Sequence, residues 1–215
     1  MQPRDVARLI GSGVRHILEI GANDGEDSQR FIEAIPECVL YCFEPDPRCI
    51  EKWRLRNLPA NAILDTRAVS DMDDHSGVTP FYQSGGWPPN SLGHGEWDKS
   101  SSLLPILPPD KNDSPWMRSP GAIEVKTVRL DTWLTEHPEL THIDFIWCDV
   151  QGAEPSVFRG GQRLLEITDW VYCECQKQQE YVGQPGLDEV MDSLPGFKLV
   201  RHYGDNHLFG RNHSG

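Results

Sequence analysis

Three short stretches carry residue types that can hold a ligand or move a proton. The first is Glu19-Ile20-Gly21-Ala22-Asn23-Asp24-Gly25. Gly21 lets the chain turn sharply and lets a ligand approach the backbone. Amides at the start of a following helix favour anionic groups. The spacing is G-x-N-x-G, without the third glycine of the G-x-G-x-x-G turn that cradles a dinucleotide pyrophosphate. A ligand lacking a pyrophosphate therefore suits this turn. A structural turn alone would also account for both glycines.

The second stretch is Glu44-Pro45, with Glu44 lying 23 positions beyond Gly21. An acidic side chain at the carboxyl end of a second parallel strand can accept both hydroxyls of a ribose. The competing role for Glu44 is a cap on the helix that Pro47 opens. The third stretch is Asp149-Val150-Gln151-Gly152-Ala153-Glu154. In open α/β sheets, ligands bind beyond the carboxyl ends of the strands, near the topological switch point. Asp149 emerges there as a candidate general base, and it equally suits the amino group of a bound cofactor. Glu154 reads as a residue that caps or begins the next helix. Glu174, His94, His202 and His207 are further candidates for the base, since a carboxylate or imidazole can take a proton. Asp149, Glu174 and a nearby histidine have the chemistry to bind a divalent cation. Nothing in the spacing demands one, and no metal is expected.

These stretches need elements that gather them at one end of a sheet. Residues 15–20 form a short apolar run that stops at Gly21, which predicts a strand. Residues 27–35 have helical spacing, with Asp24 or Asp27 available as a cap and Pro36 as a stop. Residues 39–43 predict a second strand, residues 47–56 a helix, and residues 62–69 a third strand. This β-α-β-α-β order argues for a parallel, doubly wound sheet. Residues 123–130 predict another strand, after which Asp131 would cap a short helix holding Trp133. Residues 143–148 form an apolar strand ended by Asp149. A helix over 157–167, a strand over 170–175 and a helix over 187–194 follow. Residues 197–203 and 207–209 would close the sheet as an antiparallel pair. The expected fold is α/β: a doubly wound, mostly parallel seven-stranded sheet of Rossmann-like type. Residues 1–215 read as a single domain.

Residues 84–121 break the alternation. They are rich in Gly, Pro, Ser and Asn and carry Trp87, Trp97 and Trp116. An irregular stretch this long in a compact domain is usually a functional lid or a disordered segment. The tryptophans favour a lid that packs on an acceptor, although they would also staple a long loop to the domain.

The bulk composition narrows the partners. The 33 acidic and 20 basic side chains leave a net charge of −13. That field repels nucleic acid and anionic membranes, and it suits a small or neutral substrate or a basic partner. No window approaches 18 uninterrupted apolar residues, and the first residues lack an apolar signal core. A cytoplasmic protein is expected, with its six cysteines reduced and buried. A homo-oligomer stays open.

Taken in order, HILEIGANDGEDSQRF, VYCFEPDP, Ala68-Val69-Ser70-Asp71, SSSLLP, VRLDTW, IDFIWCDVQGAE and GDNHLFGRN resemble the FkbM-type methyltransferases. The resemblance runs from about residue 15 to 211. It implies S-adenosylmethionine as cofactor, a methyl donor with no pyrophosphate, and O-methylation of a sugar or natural product. It matches Glu19, Gly21, Asn23 and Gly25, with Ala22 among them, to the cofactor turn. It matches Glu44, beside Pro45, to the ribose acid and Ala68 and Val69 to the adenine segment. Ser101 and Ser102 match a serine pair of the family, and Asp149 and Glu154 match its D-x-x-G-x-E block. The Trp- and Pro-rich segment departs from the family, so the acceptor is not carried over. Two other readings remain: a nicotinamide-dependent oxidoreductase, since Glu44 suits either ribose, and a non-catalytic cofactor-binding module.

Overall fold

The computed structural model describes residues 1–11, 15–74, 78–86 and 97–212. Strands β1 (His16–Ile20), β2 (Val39–Phe43) and β3 (Ala62–Asp65) alternate with helices α1 (Pro3–Ile10), α2 (Glu26–Ala34) and α3 (Pro47–Leu55). The two-residue strand β4 (Ala68–Val69) and the longer β5 (Thr79–Gly86) follow, then β6 (Met117–Val125) and β7 (Thr127–Val128). Helix α4 (Leu130–Glu136), strand β8 (Ile143–Cys148), helices α5 (Glu154–Arg159) and α6 (Gln162–Glu166) and strand β9 (Thr168–Glu174) come next. Helix α7 (Leu187–Asp192) and strands β10 (Phe197–Tyr203) and β11 (Asn206–Arg211) complete the order.

Seven strands form one sheet in the order β10-β11-β9-β8-β1-β2-β3. The pairs β9–β8, β8–β1, β1–β2 and β2–β3 are parallel, while β11 runs antiparallel to both β9 and β10. The chain thus winds outward from β1 in one direction and restarts at β8 in the other. Successive side chains leave a strand on opposite faces. Leu18, Ile20, Ile146 and Val171 pack with Trp133, Phe158, Leu164 and Val190 from α4 to α7. Ile17, Leu40 and Phe145 pack on the other face with Val6, Phe31 and Trp53 from α1 to α3. All six cysteines are buried and unbridged.

Five expectations are revised. The strand over 123–130 is the end of β6 followed by β7, which lie in different sheets, and Leu130 already opens α4. The strand over 62–69 is two strands. Asp65 ends β3 by accepting from the Arg67 amide at 2.9 Å and from its guanidinium, and β4 then pairs in parallel with β7, outside the main sheet. The helix over 157–167 starts at Glu154 and breaks at Gly160-Gly161. A Cβ on Gly160 would lie 2.1 Å from the Ser70 carbonyl oxygen, so the chain passes β4 too closely for a continuous side-chain-bearing helix. Asp131 does not cap α4. It lies inside that helix's first turn and accepts from the amides of Arg163 and Leu164 at 2.9 and 3.1 Å, capping α6 across space. The irregular segment is also narrower than 84–121, because β5 and β6 form an antiparallel ribbon that consumes both ends.

Candidate active site

The site lies beyond the carboxyl ends of β1, β2 and β8, where the winding reverses. Positive φ at three alternate residues shapes the turn after β1: Gly21 at 92°, Asn23 at 47° and Gly25 at 77°. Gly21 lines the cavity and takes the left-handed φ that the sharp turn needs. A Cβ there would also sit 1.8 Å from the backbone oxygen of Asp149, so the end of the neighbouring strand closes off a side chain as well. The amides of Gly21 and Ala22 both donate to the Phe43 carbonyl at 3.0 Å. The turn after β1 is thereby tied to the end of β2.

Glu44 completes that tie. Its carboxylate accepts from the amides of Asn23 and Asp46 at 2.8 and 2.7 Å, and the side chain is 5% exposed. Asp46, rather than Glu44, caps α3 through the Arg48 amide at 3.0 Å. Burial pushes the Glu44 pKa up to about 7. Deeper in the turn, Glu19 is buried against the hydroxyl of Ser28 and the thiol of Cys42, and burial pushes it up to about 8. Trp53 Nε1 donates to that same hydroxyl at 3.0 Å.

A cavity with about 970 Å³ of non-protein space, open solvent included, occupies this position. Ten of the predicted residues line it: Glu19, Gly21, Ala22, Asn23, Glu44, Pro45, Ala68, Val69, Ser101 and Asp149. Three do not. Gly25 faces away, towards the Trp53 ring. Ser102 is buried behind the lining, where its hydroxyl donates to the Gln151 carbonyl at 2.8 Å and accepts from the Leu104 amide at 3.0 Å. Glu174 sits behind Asp149. His94 lies outside the described residues. His202 and His207 form a cross-strand pair with Nδ1 atoms 3.3 Å apart, on β10 and β11 and away from the cavity lining.

Asp149 and Glu174 act as one unit. Burial raises both, the Asp149 charge raises Glu174 further, and a hydrogen bond joins the two carboxyl groups. Gln151 Nε2 donates to Asp149 Oδ1 at 2.5 Å and to Glu174 Oε2 at 2.8 Å. Among the described residues no group of three His, Cys, Asp or Glu side chains is placed to hold a metal ion.

Several contributors were not singled out from the sequence. Asp27 and Trp147 line the cavity at its Asp149 side, and Phe81 and Leu103 line it from β5 and the inserted segment. Gln151 stands inside the D-x-x-G-x-E block, and its two donors are a usable signal. Nothing local signals Tyr181, whose hydroxyl reaches Gln151 from a loop 30 residues away.

The inserted segment forms a strap across the cavity. The Asn23 amide group donates to the Asp98 carbonyl at 3.0 Å, Lys52 pairs with Asp98, and Ser101 Oγ accepts from the Ser84 amide at 3.0 Å. Residues further along pair with the loop after β9, through Leu107, Asp113 and Val182 amides. Trp97 and Trp116 pack edge-to-face on each other at 5.4 Å, and neither lines the cavity. Their contact, with the Trp97 amide donating to the Gly86 carbonyl at 3.1 Å, holds the strap against the end of the ribbon. Trp87 lies outside the described residues.

A sheet wound in this order, with a glycine turn, a buried acid after β2 and a cavity at the reversal, defines a Rossmann-like methyltransferase domain. The Methyltransferase FkbM domain model matches residues 19–206, and the chain belongs to that family. The 2-O-methyltransferase NoeI of Sinorhizobium fredii (strain NBRC 101917 / NGR234) is 39% identical over 204 residues, which cover 93% of this chain and 79% of NoeI. Methyltransferase 1 of Beauveria bassiana (strain ARSEF 2860) is 27% identical over 149 residues, 67% of this chain and 57% of that protein. A solved human methyltransferase 10 domain containing protein shares the fold at TM-score 0.50 and 11% identity, over 99% of this chain and 79% of that one. The chain is a methyltransferase, and the oxidoreductase and non-catalytic readings are set aside. Among the described residues no helix is long and apolar enough to cross a membrane.

Proposed function

We propose that the protein transfers a methyl group from S-adenosylmethionine to a hydroxyl of a small sugar or natural-product acceptor. The observation that carries this reading is the buried Glu44 carboxylate tied to the Asn23 turn at the edge of one cavity. The residues fit the cofactor. Asn23 Oδ1 is buried without a hydrogen-bond partner and stands ready for a donor. Each Glu44 oxygen spends one lone pair on an amide and keeps another for a ribose hydroxyl. Ala68, Val69, Phe81 and Leu103 offer apolar surface to a base, and acidic Asp27 and Asp149 suit a cationic sulfonium group.

The cofactor, when bound, supplies an electrophilic methyl group. The chain's own work is alignment and proton removal. Asp149, the member of the pair that lines the cavity, accepts the acceptor hydroxyl's proton, and Glu174 holds it in place. Alignment contributes up to ~7–11 kcal/mol in favourable reactions. A general base adds roughly 10²–10⁴-fold. The acidic surroundings disfavour a phosphate-bearing acceptor. Support for O-methylation comes from the relative named a 2-O-methyltransferase.

The test is calorimetric titration with S-adenosylmethionine, its demethylated product and NAD, followed by a panel of sugar and phenolic acceptors. Binding of the first two is expected. Binding of NAD alone would end the proposal. With an acceptor identified, Asp149→Asn should lower kcat by roughly 10²–10⁴-fold; unchanged turnover would remove Asp149 as the base.

A further inference from the structure

One buried hydroxyl behind the cavity meets both the strap and Gln151, the amide that bridges the carboxyl pair. Tyr181 is 1% exposed. Its hydroxyl oxygen lies 2.9 Å from the Ser100 carbonyl of the strap and 2.9 Å from Gln151 Oε1. Gln151 has a left-handed backbone, φ 59°, a conformation that a residue with a Cβ keeps only where its surroundings impose it. Both hydrogens of its Nε2 go to the pair, one to Asp149 and one to Glu174. Rotating this amide by half a turn would set Oε1 against two carboxyl groups. The hydroxyl has a single hydrogen shared between two acceptor oxygens, and the share given to Oε1 opposes that rotation.

We propose that Tyr181 is a positioning residue for methyl transfer, which acts through Gln151 to keep two N–H donors aimed at the Asp149–Glu174 pair. The inference rests on Asp149 being the base, as proposed above. An N–H donated to a carboxylate favours its ionised form. The other groups that face the pair work the opposite way or are neutral. Asp27 from α2 and Glu154 from α5 are acidic and oppose a second negative charge. Tyr172 from β9 is itself held neutral by burial. Gln176 adds one donor, to Glu174 at 2.9 Å. Gln151 is therefore the chief neutral donor that keeps Asp149 ionised, and the orientation of its amide sets the proton affinity of the pair.

Tyr181→Phe keeps the ring and removes the hydroxyl. In the full chain, a carboxyl ¹³C titration of the pair should move to higher pH than in the wild type. The acidic limb of the kcat–pH profile should move the same way, with kcat lower by roughly tenfold, the scale of one hydrogen bond. KM and S-adenosylmethionine affinity should hold within about twofold. Gln151→Ala should reproduce the titration shift, and the double variant should add nothing further. A titration unmoved in Tyr181→Phe, or additive effects of the two substitutions, overturns the proposal. If Tyr181→Phe does not fold, an unmoved titration in Gln151→Ala overturns it equally. Turnover that survives Asp149→Asn while the titration shift is present removes the base assignment instead, so the two failures are distinct.

Discussion

Replacing Glu44 tests the site and its scaffold together. Glu44→Ala removes the acceptor of two amides, those of Asn23 and Asp46, at 2.8 and 2.7 Å. A buried donor left unpaired costs about 1–3 kcal/mol, so two cost about 2–6 kcal/mol of stability. The lower end is expected, because the Asn23 amide borders the cavity and water can reach it. A hydrogen bond to a charged group contributes about 1.5–3 kcal/mol, so two ribose hydroxyls lose about 3–6 kcal/mol of binding. That corresponds to roughly 10²–10⁴-fold in Kd. Glu44→Gln keeps one acceptor oxygen and turns an NH₂ towards the second amide, so it should fall between wild type and alanine on both scales. The assays are denaturant unfolding for stability and calorimetry with S-adenosylmethionine at a temperature where each variant is folded. A folded Glu44→Ala protein that binds the cofactor within about threefold of wild type would refute the ribose role. Unchanged stability would refute the reading that Glu44 ties the turn after β1 to β2.

Three further outcomes are expected. Glu19, Glu44 and Glu154 have folded pKa values near 8, 7 and 7 against an ordinary 4.5. The folded state therefore binds these protons more tightly than the unfolded chain. Their contribution is complete below 4.5 and is lost as pH rises through about 7–8, so Tm should fall between about pH 5 and about pH 9. Glu19→Gln should flatten that fall, and a slope identical to wild type would contradict the assignment. Gly21→Ala should cost more than about 4 kcal/mol in denaturant unfolding, because its Cβ would meet the Asp149 carbonyl oxygen; a cost below about 1 kcal/mol would show that the turn can shift freely. Ser102→Ala should cost about 1–3 kcal/mol of stability through its lost bonds to Gln151 and Leu104, with cofactor affinity retained. A matching loss of cofactor affinity would return Ser102 to the cofactor site.

The sequence by itself determined the elements and the loops that carry the site. Apolar runs of strand length ending at Gly21, Glu44 and Asp149 place those residues at strand ends, because hydrophobic periodicity and turn chemistry are local properties. The order of strands and helices then selected a doubly wound sheet, and the ordered blocks selected the family. Whatever depends on two segments meeting was decided only by the tertiary structure. Asp131 has the composition of a local cap, yet its partners are amides 32 and 33 residues away. Ser101 and Ser102 are adjacent, yet one faces the cavity and the other is buried against the Gln151 carbonyl. A side chain at Gly21 is excluded by the backbone of Asp149, just past the end of the adjoining strand. Tyr181 carries no signal at all until the loop after β9 folds against the strap and brings its hydroxyl to Gln151. Strand pairing and side-chain burial fix these contacts, and they join residues whose separation along the chain bears no relation to their separation in space.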